Sequence, residues 1–144
     1  MESRAEPIII KTNLNSEKSK VWNAITEVEH MRGWFFPNIP DFEPRVGFET
    51  EFNVKEGERN FLHQWKIIEV IPETKIVYDW SYAKYKGQGF VTFDLVDNES
   101  KCQLILSYNG LDTFPNDIPE FTRKSCKDGW KYFINQLREY LWEV

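Results

Sequence analysis

Cysteine, histidine and small residues are scarce in this chain. Among 144 residues there are two Cys, two His and seven Gly, and no apolar run exceeds three residues. Two cysteines do not make a disulfide framework, and His30 and His63 lie too far apart for a metal site of recognisable spacing. A membrane-spanning helix needs about 20 consecutive apolar residues, and the N-terminal segment lacks the apolar core of a secretory signal. We therefore expect reduced thiols, no metal or other cofactor, no membrane association and a cytoplasmic setting.

Positive charge is also limited, since the chain has 18 Lys and Arg but 23 Asp and Glu, for a net charge of −5. An acidic chain without a basic cluster is a poor nucleic-acid binder, because phosphate neutralisation supplies most of that affinity. The motifs CxxC, HExxH and GxSxG and the glycine-rich phosphate loop are absent from the sequence. We therefore assign no catalytic residue. His63 could act as an acid or base if it pointed into an interior, but a surface or structurally paired histidine is the favoured interpretation.

Aromatic residues, by contrast, are abundant. The chain has 11 Phe, 6 Trp and 6 Tyr, 23 rings in all, against only 3 Ala. Each large ring buries roughly 150–250 Å². The interior should therefore be built from a few large flat side chains, which either interdigitate as a closed core or line a cavity.

The chain begins with a strand and two helices. Residues 6–14 predict the strand, and Asn15 or Ser16 is the expected N-cap of a helix that runs to about Thr26. A second short helix is predicted near 27–33, before Pro37 and Pro40. The apolar period then changes to two, which predicts strands at 46–54, 61–70, 75–83, 88–97 and 101–109.

The alternation in three of these strands predicts a sheet with one buried face. The inward residues are Ile76, Tyr78, Trp80, Val91, Phe93, Leu95, Leu104, Leu106 and Tyr108. In 61–70 apolar residues fall on both faces, so a bulge is possible there. From about Pro119 to Glu143 an apolar stripe predicts a long helix across that face. The stripe consists of Cys126, Trp130, Phe133, Ile134, Leu137, Leu141 and Val144.

The order of strand, helix pair, antiparallel strands and long helix resembles the helix-grip fold. Four pieces carry a closer resemblance: Val21–Thr26, Gly33-Trp34-Phe35 with Pro37, Glu69–Trp80, and Gly129-Trp130 with Leu137 and Tyr140-Leu141. They resemble START-like (SRPBCC, birch-pollen-allergen-like) domains of the group related to the C-terminal domain of the activator of the 90-kDa heat-shock-protein ATPase.

This resemblance implies one α+β domain over residues 1–144. A curved antiparallel β-sheet of about six or seven strands would wrap around the long C-terminal helix, with two short helices after the first strand. Gly129, inside that helix, is expected to let the helix backbone approach the sheet closely.

The resemblance also implies a pocket between sheet and helix that binds a hydrophobic or amphipathic small molecule, although the rings could instead form a closed core. The expected ligand-pocket residues are Trp34, Phe36, Tyr78, Trp80, Phe93, Leu106, Tyr108, Phe121 and Trp130.

Two alternatives follow from the same resemblance. One is a module that regulates a chaperone ATPase, with the 90-kDa heat-shock protein as partner. Full co-chaperones carry a separate N-terminal domain, whereas the START-like segment here begins within the first ten residues, which argues against that role. The other is a small polyketide-cyclase-like enzyme, which requires a buried ionisable group with a perturbed pKa in the pocket.

Overall fold

Six antiparallel strands form one curved sheet that grips the C-terminal helix in the computed structural model, which describes residues 4–99 and 101–143. The strand order is β1-β6-β5-β4-β3-β2. The predicted α+β helix-grip fold is confirmed. The elements are β1 (Ile8–Leu14), α1 (Lys18–Thr26), α2 (Val28–Trp34), β2 (Glu49–Glu56), β3 (Arg59–Ile71), β4 (Lys75–Tyr82), β5 (Gly89–Asn98), β6 (Lys101–Asn109), two short 3-10 turns at Leu111–Thr113 and Pro119–Phe121, and α3 (Arg123–Glu143).

The helix starts differ from the sequence prediction. Neither Asn15 nor Ser16 caps α1; Glu17 occupies the N-cap position and makes no side-chain capping hydrogen bond. The last helix begins at Arg123 and not near residue 119, because Pro119–Phe121 forms a separate 3-10 turn. Thr122 then caps α3, since its hydroxyl accepts a hydrogen bond from the Ser125 backbone N–H at 3.1 Å.

The apolar stripe of α3 faces the sheet as predicted. Trp130, Ile134, Leu137 and Leu141 are buried, and Cys126 and Phe133 are partly buried against the same core. Val144, the last predicted member of the stripe, lies outside the described residues. None of the helices in the described part of the chain combines the length and apolarity needed to cross a membrane.

A β-bulge explains the double apolar pattern of the third strand. The pairing register of β3 with β4 shifts between Ile67 and Glu69, which leaves Ile68 as the extra residue. Before the bulge the inward residues of β3 are Phe61, His63, Trp65 and Ile67. The bulge that the apolar pattern of residues 61–70 suggested is therefore present in β3.

Ring contacts join the helices to the sheet. Phe35, directly after α2, stacks on Trp34 with centroids 4.6 Å apart and lies 5.5 Å from Trp65 of β3. It also meets Phe133 of α3 edge to face at 4.8 Å. The Trp34 indole N–H donates to the Ala24 carbonyl at 2.7 Å, which joins α2 to α1. One ring thus contacts side chains of α2, β3 and α3.

Two polar atoms inside this core have no hydrogen-bond partner among the described residues: the Trp65 indole Nε1 and the Tyr78 hydroxyl. The two rings meet edge to face, with centroids 5.0 Å apart. Burial raises the pKa of Tyr78 far above its ordinary value, so the hydroxyl is neutral and isolated. An unpaired buried hydroxyl destabilises the folded state.

Removing that hydroxyl should therefore stabilise the protein. We expect Tyr78→Phe to raise the free energy of unfolding by about 1 kcal/mol, measured by urea denaturation. Tyr82→Phe is the matched control, because the Tyr82 hydroxyl accepts the Trp80 indole N–H at 2.9 Å. The control should lower the free energy of unfolding by about 1 kcal/mol. A loss of stability in Tyr78→Phe would contradict the prediction.

Candidate functional site

A cavity of about 330 Å³ lies between α3 and the concave face of the sheet. Strands β2, β3, β4 and β6, the turn at Pro119–Phe121 and the first half of α3 contribute its walls. Nine rings line it: Phe36, Phe61, His63, Trp80, Tyr82, Tyr108, Phe121, Trp130 and Phe133. The rings therefore do not close the space completely, and the cavity is the candidate binding site.

A larger groove of about 690 Å³ lies elsewhere, between the start of α1 and the end of α3. Its lining includes Asn13, Ser16, Asn135 and Arg138, together with Trp142. Ligand sites are mostly apolar with a few placed polar groups, whereas most of the residues that line this groove are polar. The smaller, ring-lined cavity is therefore the better candidate.

Five of the nine residues expected in a pocket line the cavity: Phe36, Trp80, Tyr108, Phe121 and Trp130. They come from four separate elements and from the segment after α2. Trp80 and Trp130 meet at a centroid distance of 5.3 Å, so strand β4 and helix α3 are in contact at one edge of the cavity.

The other four expected residues, Trp34, Tyr78, Phe93 and Leu106, are buried but do not line the cavity. Trp34 stacks under Phe35, and Tyr78 stacks on Phe42 at 5.7 Å. The two-residue alternation along a strand predicts only which side chains point towards the core. How far along the sheet the cavity extends depends on three-dimensional packing.

Some lining residues were missed in the sequence. Tyr82 follows Tyr78 and Trp80 at the same two-residue spacing in β4, so the alternation could have predicted that it points inward. Phe133 belonged to the predicted stripe of the last helix. His63 was obscured because the bulge in β3 places apolar residues on both parities.

Gly129 does not bring the helix against the sheet, contrary to the sequence expectation. A Cβ atom at this position would meet nothing within 4 Å, and Gly129 lies on the wall of the cavity. The close approach occurs instead at Gly33 of α2, where a Cβ atom would come within 2.6 Å of the Tyr140 ring of α3. Gly129 is exposed and leaves the wall of the cavity open at α3, whereas Gly33 permits helix packing.

His63 is both buried and paired. Its Nδ1 atom lies 2.9 Å from the Phe61 carbonyl oxygen. Because a carbonyl oxygen only accepts, Nδ1 carries the proton and Nε2 is left as an acceptor. Desolvation by the surrounding rings lowers the pKa of His63 to about 4, and the bond to Phe61 opposes this only in part. The imidazole is therefore neutral at pH 7.

The tyrosines and the cysteine that line the cavity are also neutral. Burial raises the pKa of Tyr82 and of Tyr108 above their ordinary values, and raises that of Cys126 to about 11. The Cys126 thiol donates to the Glu120 carbonyl at 3.5 Å, and both cysteines are free, as expected. A buried thiol of raised pKa is a poor nucleophile. Residues 4–99 and 101–143 contain no group of three metal-ligating side chains.

His63 should make stability depend on pH. The unfolded chain takes up the proton at an ordinary pKa of 6.5, whereas the folded protein does so at about 4. Stability therefore declines as pH falls through this window, by about 3 kcal/mol between pH 6.5 and 4. The measurement is the difference in urea-unfolding free energy between wild type and His63→Phe across that range, since the carboxylates shared by both proteins cancel. Parallel pH curves for the two proteins would contradict this.

Comparison with known proteins shows the family. No curated protein matches the sequence. Among solved structures, protein CV1439 from Chromobacterium violaceum has a TM-score of 0.79 at 18% identity, over 94% of this chain and 96% of that one. The Aha1 dimer from Colwellia psychrerythraea has a TM-score of 0.73 at 14% identity, over 94% and 96%. DynU16, from the dynemicin biosynthetic locus, has a TM-score of 0.74 at 18% identity, over 94% and 46%.

These structural similarities show a shared fold. The sequence itself matches the family described as Activator of Hsp90 ATPase homolog 1-like protein over residues 15–142. The matched segment includes both short helices, strands β2 to β6 and nearly all of α3, and therefore every residue that lines the cavity. The chain belongs to the Activator of Hsp90 ATPase homolog 1-like family.

Proposed function

We propose that this domain binds a small hydrophobic or amphipathic molecule in the cavity between the sheet and α3. The cavity itself carries the proposal. Its volume of about 330 Å³ lies at the lower end of the roughly 300–1,000 Å³ typical of ligand sites. A buried apolar surface of rings with a few polar atoms is the composition of such sites.

The walls of the cavity are held in place by ring contacts. Phe36 packs on Phe133 at 4.8 Å, and Phe61 packs on Phe121 at 5.5 Å. Such contacts stabilise the wall before any ligand enters, which lowers the entropic cost of binding. The missing side chain at Gly129 leaves one side of the cavity unobstructed.

A second candidate function is regulation of a chaperone ATPase, and family membership is the observation that favours it. The Colwellia relative of the same fold is described as Aha1. The partner would be a 90-kDa heat-shock protein. A pull-down followed by an ATPase assay tests this role, and an unchanged ATPase rate at saturating protein would contradict it.

An enzymatic role of the polyketide-cyclase kind needs a buried ionisable group in the cavity, and His63 meets that requirement. Its pKa of about 4 makes it a weak base at pH 7, whereas general bases work best with a pKa near the operating pH. His63 is better suited to accept a hydrogen bond than to take a proton. We therefore propose binding and not catalysis.

Filling the cavity should weaken binding. The probe is N-phenyl-1-naphthylamine, a neutral dye whose emission rises in apolar surroundings. Wild type should bind it saturably, and Gly129→Leu should weaken binding by about tenfold or more, because the added side chain occupies the cavity. Fluorescence titration measures both.

Lys131→Leu is the matched control, because it adds the same side chain to an exposed position of α3 outside the cavity. It should bind the dye as wild type does. Absence of saturable binding to folded wild type would overturn the proposal, and so would equal binding by Gly129→Leu.

A further inference from the structure

We infer that the ligand is an uncharged aromatic molecule with a hydroxyl group, held between Nε2 of His63 and the hydroxyl of Tyr82. The inference rests on the proposed function and specifies the chemistry of the same site. It is carried by two unpaired hydrogen-bonding positions of opposite kind, side by side on one cavity wall.

The first position is an acceptor. Nδ1 of His63 donates to the Phe61 carbonyl, so the neutral ring presents a lone pair at Nε2. Nε2 has no hydrogen-bond partner among the described residues. Unlike the Trp65 indole nitrogen and the Tyr78 hydroxyl, it is not completely enclosed by protein atoms. It is therefore open to a donor inside the cavity.

The second position is a donor. The Tyr82 oxygen accepts the Trp80 indole N–H at 2.9 Å, and an indole N–H can only donate. The hydroxyl proton of Tyr82 must then point elsewhere, and no acceptor for it occurs among the described residues. Tyr82 can thus donate a hydrogen bond to a ligand.

The two residues are neighbours in the sheet. His63 and Tyr82 are direct partners across β3 and β4, and their rings lie 4.7 Å apart at 90°. Directly opposed side chains on one face of a sheet have Cβ atoms about 5 Å apart, so a ligand that enters between the two rings can reach both residues. A phenolic hydroxyl is both donor and acceptor, so it can donate to Nε2 of His63 and accept from Tyr82 at once.

The charges around the cavity disfavour an anionic ligand. Among residues 4–99 and 101–143, no Lys or Arg side chain lines the cavity, whereas Glu56 and Glu120 do. Of the cations nearby, Arg59 is paired with Glu120 at 3.3 Å, and Arg4 donates to the backbone carbonyls of Phe114, Pro115 and Phe121. Burying a carboxylate without a cation is costly, so a fatty acid or another apolar acid is disfavoured.

The walls favour an aromatic ligand over an aliphatic one. Rings in the wall present faces and edges to the space, and an aromatic guest gains edge-to-face or stacked contacts beyond its buried area. The volume of about 330 Å³ suits a small fused-ring compound better than a long chain or a sterol.

Four matched probes test the inference: naphthalene, 2-methoxynaphthalene, 2-naphthol and 2-naphthoate, titrated by quenching of tryptophan emission. We expect 2-naphthol to bind wild type about tenfold more tightly than 2-methoxynaphthalene, which cannot donate to His63. The anion 2-naphthoate should bind most weakly.

His63→Phe and Tyr82→Phe should each remove the preference for 2-naphthol over naphthalene. Ser81→Ala, on the outer face of β4, should retain it. Circular dichroism verifies that each variant is folded, and the wild-type probe series decides the question even if a variant is not.

The outcomes separate the two proposals. Equal affinity of wild type for all neutral probes would overturn the hydroxyl inference and leave hydrophobic ligand binding intact. Tightest binding of 2-naphthoate would also overturn it. Failure of every probe, together with the naphthylamine dye, would overturn the proposed function as well.

Discussion

Packing of aromatic rings between the curved sheet and α3 is the constraint on which the other features of the structure depend. Phe35 lies at its centre, within contact of Trp34, Trp65 and Phe133. Rings are rigid and meet at edges and tilted faces, so they cannot adjust their shape to fill every gap between them. Where their edges diverge, beside Gly129, a cavity remains. The same side chains thus stabilise the fold and form the binding site.

The ring-rich interior also determines the chemistry of its few polar atoms. In a low-dielectric space the neutral form of each ionisable group is favoured, which lowers the pKa of His63 and raises those of Tyr82 and Cys126. The atoms therefore act as hydrogen-bonding groups and not as charges. The bond from His63 to the Phe61 carbonyl then selects one tautomer, and with it the acceptor position. Specificity in such a site comes from donor and acceptor placement.

Periodic patterns were the reliable part of the sequence prediction. The two-residue alternation of β4 to β6 and the stripe on α3 reflect burial of one face, which a single strand or helix imposes on its own sequence. Single-residue signals were less reliable. The N-cap preference of Asn15 and Ser16 did not decide where α1 begins. Gly129 was expected to bring α3 close to the sheet, but it lies beside open space. Both depend on neighbours distant in sequence.

The sequence by itself determined the α+β order of elements, the inward faces and the excess of rings, since each is written in local periodicity or composition. Only the tertiary structure decided which rings line a cavity, because that depends on how α3 crosses the sheet. It alone paired His63 with Tyr82, through a register that the bulge after Ile67 helps to set. It also left Gly129 beside open space. Cavities arise from distances between elements, and no local pattern encodes those distances.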